Sequence, residues 1–290
     1  MTQADTEGTR AARRTPRAGY LWAFALAAGH AALTSLITLG GVSYGAFLPS
    51  PLLSGLFQQW LGELVGVLVL MTVLTWTRWW RPTGLTRVRP RADSWTLLPL
   101  AALVLAAILV GRLQFGQATS LRLNDLTGSS APGLLLLIGL SLVAAVLLGL
   151  ALVPRLLGAG QGREPWEVVV MTGVVIGLAT LGSEAVFAAF SPAEQGSPLL
   201  DGSLLFLIQA LIVQGLLVMP YVAVALRTGA PWLLAPLLLL RLLTVGPVDA
   251  YAWAYALLGA AYAIWLATSG PDRTGSPDGP GSPAEVPRRA

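Results

Sequence analysis

Eight apolar runs fill residues 20–41, 55–77, 95–111, 132–153, 166–190, 203–226, 232–246 and 250–267 of this 290-residue chain. Lipid offers no hydrogen-bond partner to a backbone N–H or C=O. A segment that crosses it must satisfy its own, which in a chain of this pattern means a helix. A helical span takes about 17–25 mostly apolar residues. The seventh run is short, and Pro231, Pro236 and Pro247 punctuate it. It is expected to kink or to re-enter. Only 11% of the residues are charged, against about 25% in soluble domains. The predicted fold is an all-α polytopic membrane protein, a bundle of about eight transmembrane helices over 20–267. A basic N-terminal tail, 1–19, precedes it. A C-terminal tail rich in Pro, Gly and Ser, 268–290, follows it and is expected to be disordered.

The arginines orient the bundle. All 18 basic residues are Arg, and 15 of them fall in alternate connections and both tails when the N-terminus is placed inside. Only Arg112 and Arg122 fall in the opposite loops, and Arg241 lies within a span. Cytoplasmic loops carry such an excess. Both termini are therefore expected on the cytoplasmic side of the plasma membrane. Trp22, Trp76, Trp79, Trp80, Trp95, Trp166, Trp232 and Trp265 fall near the same side, where amphipathic rings anchor. The first run lacks a clear cleavage site and reads as a retained helix rather than a signal peptide. No short repeat and no inverted repeat is evident along the chain.

The chain has no cysteine and a single histidine. Disulfides, thiolate metal sites and Cys nucleophiles are excluded. A serine nucleophile lacks an adjacent base. Charges inside a span are costly and are functional candidates by default. His30, Glu63, Glu184 and Arg241 are the four within spans, and Gln209 lies at a similar level. They form a predicted polar layer toward the outer leaflet. One reading makes it an active site or cavity. The other makes it an ion pair, Glu184 or Glu63 with Arg241, that locks helix register. No metal site is expected, because zinc takes three or four ligands and His30, Glu63 and Glu184 come from three helices without an i,i+4 pair. No cofactor is implied.

The loop Gly158–Pro165, GAGQGREP, follows no strand and lacks a P-loop lysine. It reads as a flexible connection. The Arg- and Trp-rich stretch Trp76–Trp95 reads as an interfacial anchor on anionic lipid, with no nucleic acid required.

Three stretches carry a family resemblance: Arg78–Leu105, LGSEAVFAAF at Leu181–Phe190, and Tyr221–Leu243 with its Arg227-Thr228-Gly229 turn, Trp232 and Pro236. Over residues 55–267 they resemble the CPBP family of CAAX-protease and bacteriocin-processing intramembrane endopeptidases. The resemblance implies an eight-helix bundle, with Glu184 as the catalytic carboxylate of the family's Glu-Glu motif. Ser183 stands where that motif has its first Glu, and Ala188 where it has Arg. No histidine follows residue 30, so both His-bearing motifs are missing. The resemblance thus implies an inactive or atypical endopeptidase that binds membrane proteins or peptide segments in the bilayer. A small-molecule or lipid transporter is the alternative, with Glu63, Glu184 and Arg241 lining a cavity.

Overall fold

Proline opens four of the helices, at Pro16, Pro51, Pro132 and Pro165. Its fixed φ suits the first helical position, and the N–H it lacks would have no partner there. The computed structural model describes residues 16–40, 51–87, 94–115, 132–158, 163–190, 204–243 and 250–269. Most of both predicted tails lies outside these residues. Among the described residues there are eight α-helices and no strand. They are α1 Pro16–Gly40, α2 Pro51–Thr77, α3 Leu97–Phe115, α4 Pro132–Leu156, α5 Pro165–Phe190, α6 Leu204–Thr228, α7 Ala235–Leu243 and α8 Ala250–Thr268. The protein has the all-α membrane fold expected. Short 3₁₀ turns, Ser94–Thr96 and Pro231–Leu234, lead into α3 and α7.

Five helices, α1, α2, α4, α5 and α6, are long and apolar enough to cross a membrane, while α3, α7 and α8 carry shorter apolar stretches. The seventh run departs most from expectation. Its first residues form the 3₁₀ turn, and its helix has nine residues, about 14 Å at 1.5 Å per residue. That is half a hydrocarbon core of about 30 Å. Residues 244–249 lie outside the described set.

The helices pack as two sets of four in one pattern. In the first set α2 packs on α1 and on α4; in the second α6 packs on α5 and on α8. α4 also touches α1, as α8 touches α5. Between the sets α3 meets α8, α7 meets α4, α1 meets α5 and α3 meets α7. Exchanging the sets maps each of these contacts onto another of them. The departures are the contacts of α4 with α5 and α6, of α3 with α6, of both 3₁₀ turns with α6, and of the Pro231–Leu234 turn with α4. Such a pattern is that of an approximate two-fold axis, across which equivalent residues meet each other.

Two contacts show such meetings. Ser35 in α1 and Ser183 in α5 share a hydrogen bond of 2.7 Å. Each is the last residue of a Gly-x-Ala-x-Leu-x-Ser run, Gly29–Ser35 and Gly177–Ser183. Beyond α2 and α6, Thr83-Gly84 and Thr228-Gly229 form matching turns. Each threonine hydroxyl donates to the carbonyl four residues earlier, of Trp79 and of Val224. Each glycine has positive φ, 78° and 61°, a conformation open to Gly at no steric cost. The two turns touch, so a Cβ on Gly84 would overlap the Gly229 carbonyl. The third helices match too: Trp95–Leu103 and Trp232–Leu240 both read Trp-x-Leu-x-Pro-Leu-x-x-Leu. The chain therefore carries a parallel repeat, which the sequence did not lead one to expect. Leucine-rich helices hide such matches, because apolar residues recur everywhere in them.

The repeat fixes direction. Tyr20 meets Arg163 at the start of α5, and Ser35 meets Ser183 near its end, so α1 and α5 run parallel. Arg78, Arg81, Arg87, Arg155, Arg163 and Arg227 consequently gather at one end of the bundle, the Arg-rich end.

Small residues close the seams. A methyl group at Gly177 would sit 2.6 Å from the Leu211 carbonyl oxygen, and one at Gly182 2.5 Å from that of Ala28. Backbones this near need residues without side chains. The largest apolar core joins α3, α4, α6 and α8 through Leu100, Val104, Leu150, Val222 and Leu266. A second joins Val67, Leu70 and Leu74 of α2 to Ala145, Leu148 and Leu152 of α4. Much of the outer surface remains apolar, including Leu21, Leu68, Leu98 and Leu109. Lipid can cover such a surface; water would not favour it.

Candidate functional site

His30, the only histidine, sits at the α1–α2 seam. A methyl group at Gly66 would lie 2.5 Å from its Nε2, and one at Gly62 2.9 Å from the Thr34 carbonyl. His30 Nε2 is buried and makes no hydrogen bond among the described residues. Glu63 lies one turn before Val67 on the stripe Val67, Leu70 and Leu74 that faces α4. His30 and Glu63 thus belong to different faces of α2's surroundings, and no hydrogen bond joins them.

Gly62 faces Thr34, and Ser35 faces Ser183, so the backbones of Glu63 and Glu184 fall at one level. They lie a turn beyond His30, away from the Arg-rich end. Gln209, half-buried in α6, is displaced. It lies beside Leu211, which faces Gly177, about 7 Å along the axis from Glu184 at 1.5 Å per residue. Of the predicted layer, only the backbones of Glu63 on α2 and Glu184 on α5 share a level. The side chains of Glu184 and Arg241 lie outside the described residues, as does the ion pair predicted for them. Among the described residues, no three His, Asp or Glu side chains come together.

A cavity at the Arg-rich end involves none of the residues of the predicted polar layer. It holds about 200 Å³. The turn after α2 supplies Pro82, Thr83, Gly84 and Arg87, and the end of α4 supplies Leu150, Ala151, Pro154 and Arg155. The second set closes it with Ala225, Leu226, Gly229 and Pro231. It thus straddles the paired Thr-Gly turns, on the axis between the sets. Two arginines line it, and none of the described lining residues is acidic. The Trp232 indole N–H donates to the Arg87 carbonyl at 2.7 Å, tying a residue of one set to the loop of the other. The Tyr262 hydroxyl similarly donates to the Thr96 carbonyl at 2.6 Å, from α8 to the turn before α3.

The predicted interfacial anchor divides. Trp76 is 86% exposed and Trp95 half exposed. Trp79 and Trp80 instead turn inward and pack with Leu85 against the α2–α4 core. The chain reverses just after α2, where Arg78 has φ of 57°, and this carries the two rings back over α2. The connection after α4 is held at its far side. The Arg163 guanidinium lies 4.6 Å over the Tyr20 ring and donates to the Tyr20 hydroxyl.

The signal that could have found the cavity is the doubled Thr-Gly turn beside Arg, visible only once the halves are aligned. The chain matches no family model, and comparison with curated proteins and with solved structures finds no match.

Proposed function

We propose that this protein is a permease-type membrane protein whose two four-helix repeats hold a small ligand between them, with the Arg-rich end toward the cytoplasm of the plasma membrane. The observation that carries this reading is the cavity on the axis between the repeats. In transporters built from parallel repeats related by an axis along the membrane normal, the site lies at the repeat interface near the midplane. This cavity lies at the same interface, toward the Arg-rich end, where rocking of one repeat against the other would expose it alternately. The α1–α5 seam joins the two sets closely, through small residues, the serine pair and the Tyr20–Arg163 contact.

The endopeptidase resemblance is strongest at Thr228-Gly229, Trp232 and Pro236. The same turn and run recur at Thr83-Gly84, Trp95 and Pro99. Repetition within the chain therefore accounts for those residues without a protease ancestor. The His30–Gly66 packing keeps the one histidine at a helix seam, which counts against a part for it in hydrolysis.

The chain has no cysteine, so single cysteines report cleanly. Ala151→Cys or Ala225→Cys, both at buried lining positions, is placed in liposomes and labelled with a membrane-impermeant maleimide from either side. Labelling from both sides is expected, with loss from the far side when Ser35→Cys and Ser183→Cys are cross-linked. Labelling from the Arg-rich side alone, whatever the conditions, would overturn transport. Cleavage of a prenylated or transmembrane peptide, lost in Glu184→Ala, would restore the endopeptidase reading instead.

A further inference from the structure

The cavity's own chemistry says what it takes. Its only charged lining side chains among the described residues are Arg87 and Arg155, and they come from two different elements, the turn after α2 and the last turn of α4. A guanidinium presents a planar fork of donors that matches phosphate, often with two parallel bonds. Thr83 adds a hydroxyl, though its proton is committed to the Trp79 carbonyl. The lining also includes the apolar Leu150, Ala151, Ala225 and Leu226. The site therefore offers an anion two guanidinium groups within a partly apolar wall.

Depth points the same way. Trp22, Trp76, Trp95, Trp166, Trp232 and Trp265 are all well exposed and all lie toward the Arg-rich end. Exposed indoles of a membrane protein gather at headgroup level. Pro231, next to Trp232 in the chain, lines the cavity, so the cavity lies at the level of that belt. Basic pockets between helices at this depth bind phosphate-bearing headgroups.

We infer that the cavity between the paired Thr-Gly turns is a binding site for a phosphate group, held by Arg87 and Arg155. The group can be a lipid headgroup or a free phosphate, and the chemistry is shared. The inference rests on the proposed function only in placing ligand in this cavity. Binding does not require that the cavity open to both sides.

The test uses the full chain in a neutral detergent. Thermal unfolding and native mass spectrometry are followed during titration with phosphatidylglycerol, with phosphatidylcholine and with inorganic phosphate. Saturable binding of phosphatidylglycerol is expected, at least tenfold tighter than of phosphatidylcholine. Arg155→Gln should weaken it at least tenfold, since a charged hydrogen bond lost at such a site costs that much. Arg87→Gln, on an exposed turn where folding is not at stake, should do likewise, and Arg155→Lys should restore part of the loss. Arg81→Gln lies at the same end but outside the cavity, and should change affinity less than twofold.

Saturation by inorganic phosphate with the same arginine dependence, and no preference for phosphatidylglycerol, identifies the free anion as the source. Equal losses in Arg81→Gln and Arg155→Gln would reduce the effect to surface charge and overturn the site. Absence of saturable binding by any of the probes would overturn it as well. Phosphate binding with one-sided maleimide labelling would sink transport and leave this inference standing; two-sided labelling with no phosphate binding would do the reverse.

Discussion

Gly84→Ala is the sharpest perturbation of the paired turns. Two independent costs add at this position. Gly84 has φ of 78°, and a non-glycine residue there loses roughly 1–2 kcal/mol to clash with its own backbone. The added Cβ also overlaps the Gly229 carbonyl oxygen, and it lies 2.9 Å from the carbonyl carbon and 3.5 Å from Pro231 Cδ. These are backbone and ring atoms, so no side chain can rotate away. Overpacking of this kind costs about 1–3 kcal/mol. The sum is about 2–5 kcal/mol, provided the two sources are independent. At roughly 2–4 °C per kcal/mol for a chain of this size, the melting temperature should fall by on the order of 10 °C. The assay is thermal unfolding in one detergent, read by tryptophan fluorescence and by loss of monodisperse protein. Gly149→Ala and Gly29→Ala are the controls, because a Cβ at either meets nothing within 4 Å. Both should be neutral or slightly stabilising, as a helical Gly gives way to Ala. If Gly84→Ala melts within about 2 °C of these controls, a threshold below the smallest shift expected from the worked cost, the touching turns are not a structural joint and the argument from them fails.

Cross-linking probes the serine pair: Ser35→Cys with Ser183→Cys should form an intramolecular disulfide under mild oxidation. With a protease site inserted between Gly158 and Arg163, the cut halves should then stay together on a non-reducing gel and part on reduction. Loss of the hydrogen bond alone, measured as a double-mutant cycle of Ser35→Ala and Ser183→Ala, should show coupling of about 0.6 kcal/mol, typical between membrane helices. Seam glycines should differ in tolerance. Gly177→Ala meets the Leu211 backbone carbonyl at 2.6 Å, whereas Gly66→Ala meets the movable His30 ring. The first should lose about 1–3 kcal/mol and the second less, and equal losses would contradict the packing described. For Glu184 and Arg241, thermal stabilities of Glu184→Gln, Arg241→Gln and the double variant should be non-additive by about 0.5–3 kcal/mol if they form the predicted pair. Strict additivity would remove that pair.

Much of the architecture is legible in the amino-acid sequence. Lipid forces helices, so the apolar runs have ranges close to those observed; the run at 132–153 is the helix Pro132–Leu156, and that at 166–190 is Pro165–Phe190. Prolines mark the seventh run, and it folds as a turn and a short helix. The candidate site is less legible. His30, Glu63 and Glu184 stand out because charge in an apolar run is conspicuous. Conspicuousness carries no information about facing, and His30 and Glu63 lie on different seams. The cavity residues Arg87 and Arg155 do not stand out, because both sit in connections where arginine is ordinary.

The sequence alone determined that this chain is a helical membrane protein, where most of its helices begin and end, and which end gathers arginine. Those properties depend on local solvation, one residue and one segment at a time. Only the tertiary structure decided which helices touch, and with that the two-set symmetry, the serine pair and the touching Thr-Gly turns. Helix surfaces rich in Leu, Ala and Gly could pack in many registers with similar apolar burial. The choice among them rests on a few close approaches, such as Gly84 on Gly229 and Gly177 on Leu211, between residues far apart in the chain. The cavity is a consequence of that choice, since its walls come from both sets and neither set alone encloses it.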